Sequence, residues 1–131
     1  MKKRILSVIL VFVLLCSMSI CASAASWNSY TSGGSRGAVT TTATLNVYSE
    51  HAVATTSSGA YDHSILATTV RFHYTNTLNH FATETVSGHA SASAYPSDMK
   101  DIFIAISADS EHDVNGGSEW GSWHWELSAT R

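Results

Sequence analysis

The chain has 131 residues, seven Lys and Arg against ten Asp and Glu, seven His, two Cys and one Pro, and 44% of it is apolar. That length suits one small domain behind a targeting segment. The acidic balance makes nucleic acid and anionic membrane surfaces poor partners.

Lys2, Lys3 and Arg4 form a basic start, and Ile5 to Leu15 is a nearly unbroken apolar run. Ala22-Ser23-Ala24 then supplies the small-x-small pattern of a signal-peptidase site. The first 24 residues are therefore expected to be a cleaved signal peptide, and the protein to be secreted. The apolar run is shorter than the ~20 residues of a spanning helix, so no stable membrane span is expected after cleavage. Cys16 and Cys21 leave with the leader, so residues 25–131 hold no thiol, no disulfide and no sulfur ligand for zinc. Four basic residues remain, Arg36, Arg71, Lys100 and Arg131, against ten carboxylates: a net charge of −6 with histidine neutral.

Residues 25–37, with Ser32-Gly33-Gly34-Ser35, read as a flexible N-terminal segment on which Trp27 or Tyr30 docks. Residues 38–131 read as the folded domain. Val39, Thr41, Ala43, Leu45 and Val47 alternate with Thr40, Thr42, Thr44 and Asn46, the pattern of a half-buried strand with a threonine outer face. His51 to Ser57 is a weaker strand, and Ser57-Ser58-Gly59 with Asp62 marks a loop. Ser64 to Thr75 is a strong strand with Leu66, Val70, Phe72 and Tyr74 on one face. His80 to Ala94 reads as one long strand of small residues, bulged at Gly88. An even loop between these two strands sets Arg71 beside Glu84 on the solvent side and Phe81 near Phe72 or Tyr74 inside. Pro96 ends the long strand, and Tyr95 to Asp101 is expected to cross from one sheet to the other.

The last stretch, Asp101 to Arg131, is the clearest hairpin. Ile102, Ile104, Ile106, Ala108 and Val114 share one parity, while Asp109, Glu111 and Asp113 share the other. Asn115-Gly116 is a strong turn signal. A two-residue turn there sets Ile104 opposite Leu127 and Ile106 opposite Trp125. A four-residue loop shifts the pairing but keeps the faces, and a three-residue loop would set the tryptophans against the acids. No helical pattern follows the leader. The fold class is all-β: a single antiparallel β-sandwich or flattened barrel of about six to eight strands.

Candidate chemistry is dispersed. Asp109, Glu111 and Asp113 are hard oxygen donors on one strand face and form the candidate metal set, for calcium or zinc. Glu111-x-Asp113-x-Asn115-Gly116 echoes the start of a calcium loop but lacks its closing Glu, Ser122 standing there instead. His73 and His80 flank one turn and are the best two-histidine guess. His112 reads as the polar boundary of the core. His124 opposite Ser107 or Asp109 is the one contact with a catalytic flavour, yet no nucleophile elbow or phosphate loop exists, so no enzyme is expected. Trp120 on the outer parity, with His124, Asp109 and Glu111 along the same face, is the candidate binding patch.

The expected function is a secreted, non-catalytic binding protein whose partner is an unknown extracellular protein or glycan. In size, leader and residue flavour the chain resembles the lactococcin-972-type bacteriocins, small, cysteine-poor, signal-bearing β-sandwich proteins. That resemblance implies an antimicrobial alternative and carries over no residues. Metal capture is the second alternative.

Overall fold

A computed structural model of the chain describes residues 24–59, 65–76, 80–97 and 102–131. The expected leader with its two cysteines, and His63, Asp62, Lys100 and Asp101, lie outside the described residues. The described residues form eight strands: β1 (Ala24–Gly34), β2 (Gly37–Val47), β3 (Ala52–Ser58), β4 (Ile65–Asn76), β5 (Phe81–Gly88), β6 (Ser91–Ala94), β7 (Phe103–Asn115) and β8 (Ser122–Thr130). One helical turn, α1 (Gly117–Trp120), precedes β8. Two antiparallel four-stranded sheets result, ordered β1-β2-β3-β6 and β5-β4-β7-β8. They share one core, an arrangement consistent with a β-sandwich. No helix among the described residues is long and apolar enough to cross a membrane.

The strongest alternations fold as their spacing predicts. Val39, Thr41, Ala43, Leu45 and Val47 point inward from β2, and Leu66, Val70, Phe72 and Tyr74 point inward from β4. The two sheets contribute unlike faces. Ala43, Ala52, Ala54, Ala92 and Ala94 line much of the first sheet, whereas Phe72, Tyr74, Trp123 and Leu127 fill the space from the second. Small residues on one face leave room for large ones on the other.

The segment 25–37 is not a loose entry. β1 pairs with β2 from Ala24↔Val47 to Gly34↔Gly37, leaving Ser35-Arg36 as a two-residue turn. Gly37 closes that turn at φ 123°, a conformation that L side chains rarely adopt. With polar residues on both parities, β1 has no period-two signal; its pairing to a strongly patterned neighbour makes the strand.

The expected 80–94 strand is two strands in different sheets. β5 lies beside β4 and β6 beside β3, so the chain turns a corner at Gly88 to Ala90. A Cβ at Gly88 would sit 2.1 Å from the Ser91 carbonyl oxygen, which no side chain can accept. The Tyr95–Asp101 connection does join the two sheets, since β6 and β7 belong to different ones.

Two registers differ from expectation. In β4–β5 the pairs are Thr75↔Phe81, Arg71↔Thr85 and Phe72↔Glu84. Phe81 is therefore outside, and Glu84 is half-buried on the inner parity, where it accepts the Tyr74 hydroxyl at 3.2 Å. Asn76 causes this. Its N–H donates to the His80 carbonyl, and its Oδ1 accepts the His80 N–H, both at 3.1 Å, which encloses an odd number of residues. His73 consequently faces Thr83 rather than His80.

In β7 the parity changes midway. His73 pairs with Ser107 but Tyr74 pairs with Ala105, so Ile106 is an extra residue in a β-bulge. Ala108, Ser110, His112 and Val114 point inward beyond the bulge, and Ala105 points inward before it. Ile104 is thus exposed while Leu127 is buried. The expected Ile104–Leu127 core pair does not form. The β7–β8 hairpin keeps the expected facing of Val114 and the tryptophan strand, but closes at Asn115↔Ser122 around the six residues Gly116–Gly121, which include α1.

Candidate functional site

Beyond the bulge, the outer face of β7 carries Asp109, Glu111 and Asp113, with Arg71 and His73 beside it on β4, and His124, Glu126 and Ser128 on β8. Arg71 sits between two of the acids: Nη1 donates to Asp109 Oδ2 at 2.7 Å and Nη2 to Glu111 Oε1 at 2.5 Å. Hydrogen bonds to Asp109 and then Glu111 push the guanidinium pKa further up, so it stays charged. Asp109 also meets His73 Nε2 at 2.5 Å, while His73 Nδ1 meets Thr83 Oγ1 at 2.9 Å. Burial opposes the Asp109 charge, yet the hydrogen bonds from His73 and Arg71 outweigh it and hold its carboxyl below the usual range.

The third acid stands apart from this cluster. Asp113 lies directly across from His124, Oδ1 to Nδ1 at 2.7 Å, with Glu126 Oε1 3.8 Å from the other ring nitrogen. The bond to Asp113 raises the His124 pKa against a smaller effect of burial. The candidate metal set Asp109, Glu111 and Asp113 is thus split, its first two members held by a guanidinium. No group of three or more His, Cys, Asp or Glu among the described residues is arranged to hold a metal ion. A shallow depression of about 240 Å³ lies between Arg71, Glu111, Glu126 and Ser128.

The candidate binding patch is divided as well. Asp109 and Glu111 belong to the Arg71 cluster, His124 to the Asp113 pair, and Trp120 to α1. That turn is held away from the outer face by Ser35 N–H donating to Ser118 O and Arg36 N–H donating to Glu119 O, with an Arg36–Glu119 ion pair at 3.0 Å. Trp120 is half-buried there. The indole that reaches solvent on this hairpin is Trp125, 44% exposed. It ends a column in which Tyr30 stacks on Trp123 and Trp123 on Trp125, the two indoles 6.4 Å apart and 4° from parallel. Trp125 shares the inward parity of Leu127, but β8 is an edge strand, so its large ring extends past the cover of β1.

The residue the sequence reading underrated is His112. It is fully buried at 0% exposure, between Thr56 Oγ1 at 2.8 Å from Nδ1 and Ser110 Oγ at 2.7 Å from Nε2. Thr56 Oγ1 also lies 2.6 Å from Thr68 Oγ1, which donates to the His89 carbonyl at 2.7 Å. The proton arrangement follows by elimination. Thr68 spends its hydrogen on His89, so Thr56 donates to Thr68 and must accept from His112. The imidazole carries its hydrogen on Nδ1, and Ser110 donates to Nε2. A neutral ring satisfies the whole chain, and burial lowers its pKa to about 4.

Ser110 and His112 have the contact of a nucleophile and its base, but both are sealed in the core, Ser110 at 1% exposure, with a threonine where an orienting acid would stand. His124, the expected catalytic-flavoured contact, faces Asp113 rather than Ser107 or Asp109. No protein family, curated protein or solved structure matches the chain.

Proposed function

We propose that this protein is a small secreted domain that acts outside the cell by binding, without catalysis. The observation that carries the reading is the contrast between its polar chemistry and its aromatics. The serine–histidine pair is enclosed between the sheets, and Arg71 neutralises the acids in the shallow depression. Trp125 by contrast reaches solvent at the edge of β8, where its indole and the side chains of His124 and Glu126, which leave the strand on the opposite face, line one open depression offering an aromatic ring and groups that donate and accept hydrogen bonds. Such a combination suits the apolar face and hydroxyl rim of a sugar, or a protein surface of similar character.

The partner is an extracellular glycan or protein. The β8 strip Trp125, His124 and Glu126 replaces the patch expected around Trp120. The test expresses the full chain and looks for a processed form in the medium, then measures its co-sedimentation with intact cells and isolated cell envelopes. Secretion with envelope binding that Trp125→Ala reduces about tenfold, at unchanged melting temperature, supports the reading. Retention inside the cell, or binding indifferent to Trp125, overturns it.

A further inference from the structure

The corner between β5 and β6 is held from inside by two hydrogen bonds. Thr68 Oγ1 donates to the His89 carbonyl at 2.7 Å, and the Thr56 N–H donates to the Ala90 carbonyl at 2.8 Å. Both donors belong to the buried chain of side chains that ends at His112. The strand that follows the corner adds little grip. β6 has four residues, lies at the edge of its sheet, and turns only two alanines inward, Ala92 and Ala94. By contrast β2, β4 and β8 are anchored by Leu45, Phe72, Trp123 and Leu127. Gly88 lies so close to the Ser91 carbonyl that corner and strand form one tight unit.

The His112 ring has no counter-charge in the core. Among the described residues, no carboxylate or base points inward from β2, β3, β4, β6 or β8. On β5, Glu84 is half-buried and accepts the hydroxyl of Tyr74 on β4, and at the corner the His89 ring is exposed. Burial is the strongest influence against a charge on His112; from the outer face Asp113 favours that charge and His124 opposes it. A proton added at Nε2 would meet the Ser110 hydroxyl and deprive it of its acceptor. The imidazolium then needs water, and the part of the wall that costs least to move is the corner with β6. We propose that residues 88–94 form an acid-released latch: when His112 takes up a proton, the corner and β6 swing off β3 and β4 and admit water to the ring, while β2, β4, β7 and β8 keep their pairing. The latch is independent of the β8 binding strip, and its release would bare the backbone edge of β3 as the surroundings acidify.

The experiment is amide hydrogen exchange followed by NMR on the protein as expressed, from pH 7.5 to 4.5, with each rate divided by the intrinsic rate at that pH. The amide of Thr56, whose acceptor is on the corner, and the amides of β6 are expected to open more readily as pH falls below 6.5, by up to about tenfold per pH unit. The amides of Leu45 and Val70 should stay better protected throughout, and dilute urea should accelerate them far more than Thr56, since the latch exposes little surface. His112→Gln can still donate toward Thr56 and accept from Ser110, and in it the opening of Thr56 and β6 should no longer depend on pH. Should that variant fail to fold, the parent's series decides alone. The proposal fails if Thr56 and β6 open with the same free energy as Leu45 and Val70 at every pH, which is unfolding of the whole domain. It fails too if their opening is flat with pH, or if His112→Gln keeps the parent's rise.

Discussion

Thr56 on β3 and His112 on β7 meet at 2.8 Å across the space between the two sheets, and both are buried. This is a polar tie in a core built mostly of apolar side chains. Its geometry works only with a neutral ring, since protonated Nε2 would turn a donor toward Ser110 and leave its hydroxyl without its acceptor.

The sign of the pH dependence follows. The folded-state pKa of His112 lies near 4, below the ordinary 6.5, so the unfolded chain takes up the proton first. The contribution is fully present above pH 6.5 and is lost as pH falls toward 4, at no more than about 1.4 kcal/mol per pH unit. Urea unfolding between pH 4.5 and 7.5 should show the midpoint rising with pH. In His112→Gln, less stable at neutral pH, the slope over this window should be shallower. An equally steep slope in the variant would assign the effect elsewhere.

Arg71 predicts the protein's response to cations. With the guanidinium in place, calcium should leave the melting temperature unchanged. Arg71→Ala leaves Asp109 and Glu111 two residues apart on one strand face with no partner between them. The ion pairs are about a third exposed, so the direct cost should be about 1 kcal/mol or less. The variant, unlike the parent, should gain stability on adding millimolar calcium, read by differential scanning fluorimetry.

Gly88 sets the corner between the sheets. Gly88→Ala puts a methyl group against the Ser91 carbonyl at a distance that requires the backbone to move. The expected loss is at least about 2 kcal/mol, measured by chemical denaturation. Gly59→Ala, whose added Cβ would meet Val39 at 3.6 Å in ordinary contact, is the control and should change stability little.

The bulge makes a deletion test possible. Removing Ile106 leaves Ala105 and Ser107 opposite Tyr74 and His73, the pairs they already form, so the ladder closes in register. Removing Ser110 instead turns every residue on one side of the cut to the wrong face. The first deletion should fold, with the cost of losing the Arg131 N–H bond to the Ile106 carbonyl; the second should not give a dispersed amide NMR spectrum.

The β2 and β4 faces were legible in the sequence because Val39, Ala43, Leu45 and Val47, and Leu66, Val70, Phe72 and Tyr74, keep one parity with a single threonine interrupting each series, which leaves little choice of face. The β7–β8 hairpin was legible beyond Ala108 from the acids on the outer parity of β7 and from Trp123, Trp125, Leu127 and Ala129 on one parity of β8, although Ser110 and His112 point inward without an apolar signal. Ile102 and Ile104 were misplaced because a bulge inserts one residue with no compositional mark, and Ile106 looks like its neighbours. Phe81 and Glu84 were exchanged because the side chain of Asn76 fixes a turn length that strand alternation does not encode. At the candidate site, the acids of β7 were placed on the correct face, but their partner is settled by the register with β4, which brings Arg71 to Asp109. His112 was read as a boundary residue because its neighbours in space, Thr56 and Thr68, are distant in sequence and carry no signal of their own.

The Tyr30–Trp123–Trp125 column has one further consequence. Nearly parallel indoles in rigid proximity couple their electronic transitions, and Tyr30 reaches Trp123 from the opposite sheet. Circular dichroism of the unlabelled protein should therefore contain an aromatic band from the two β8 indoles that weakens when Tyr30 leaves Trp123 and the layers part, giving the molecule an intrinsic optical gauge of its own closure.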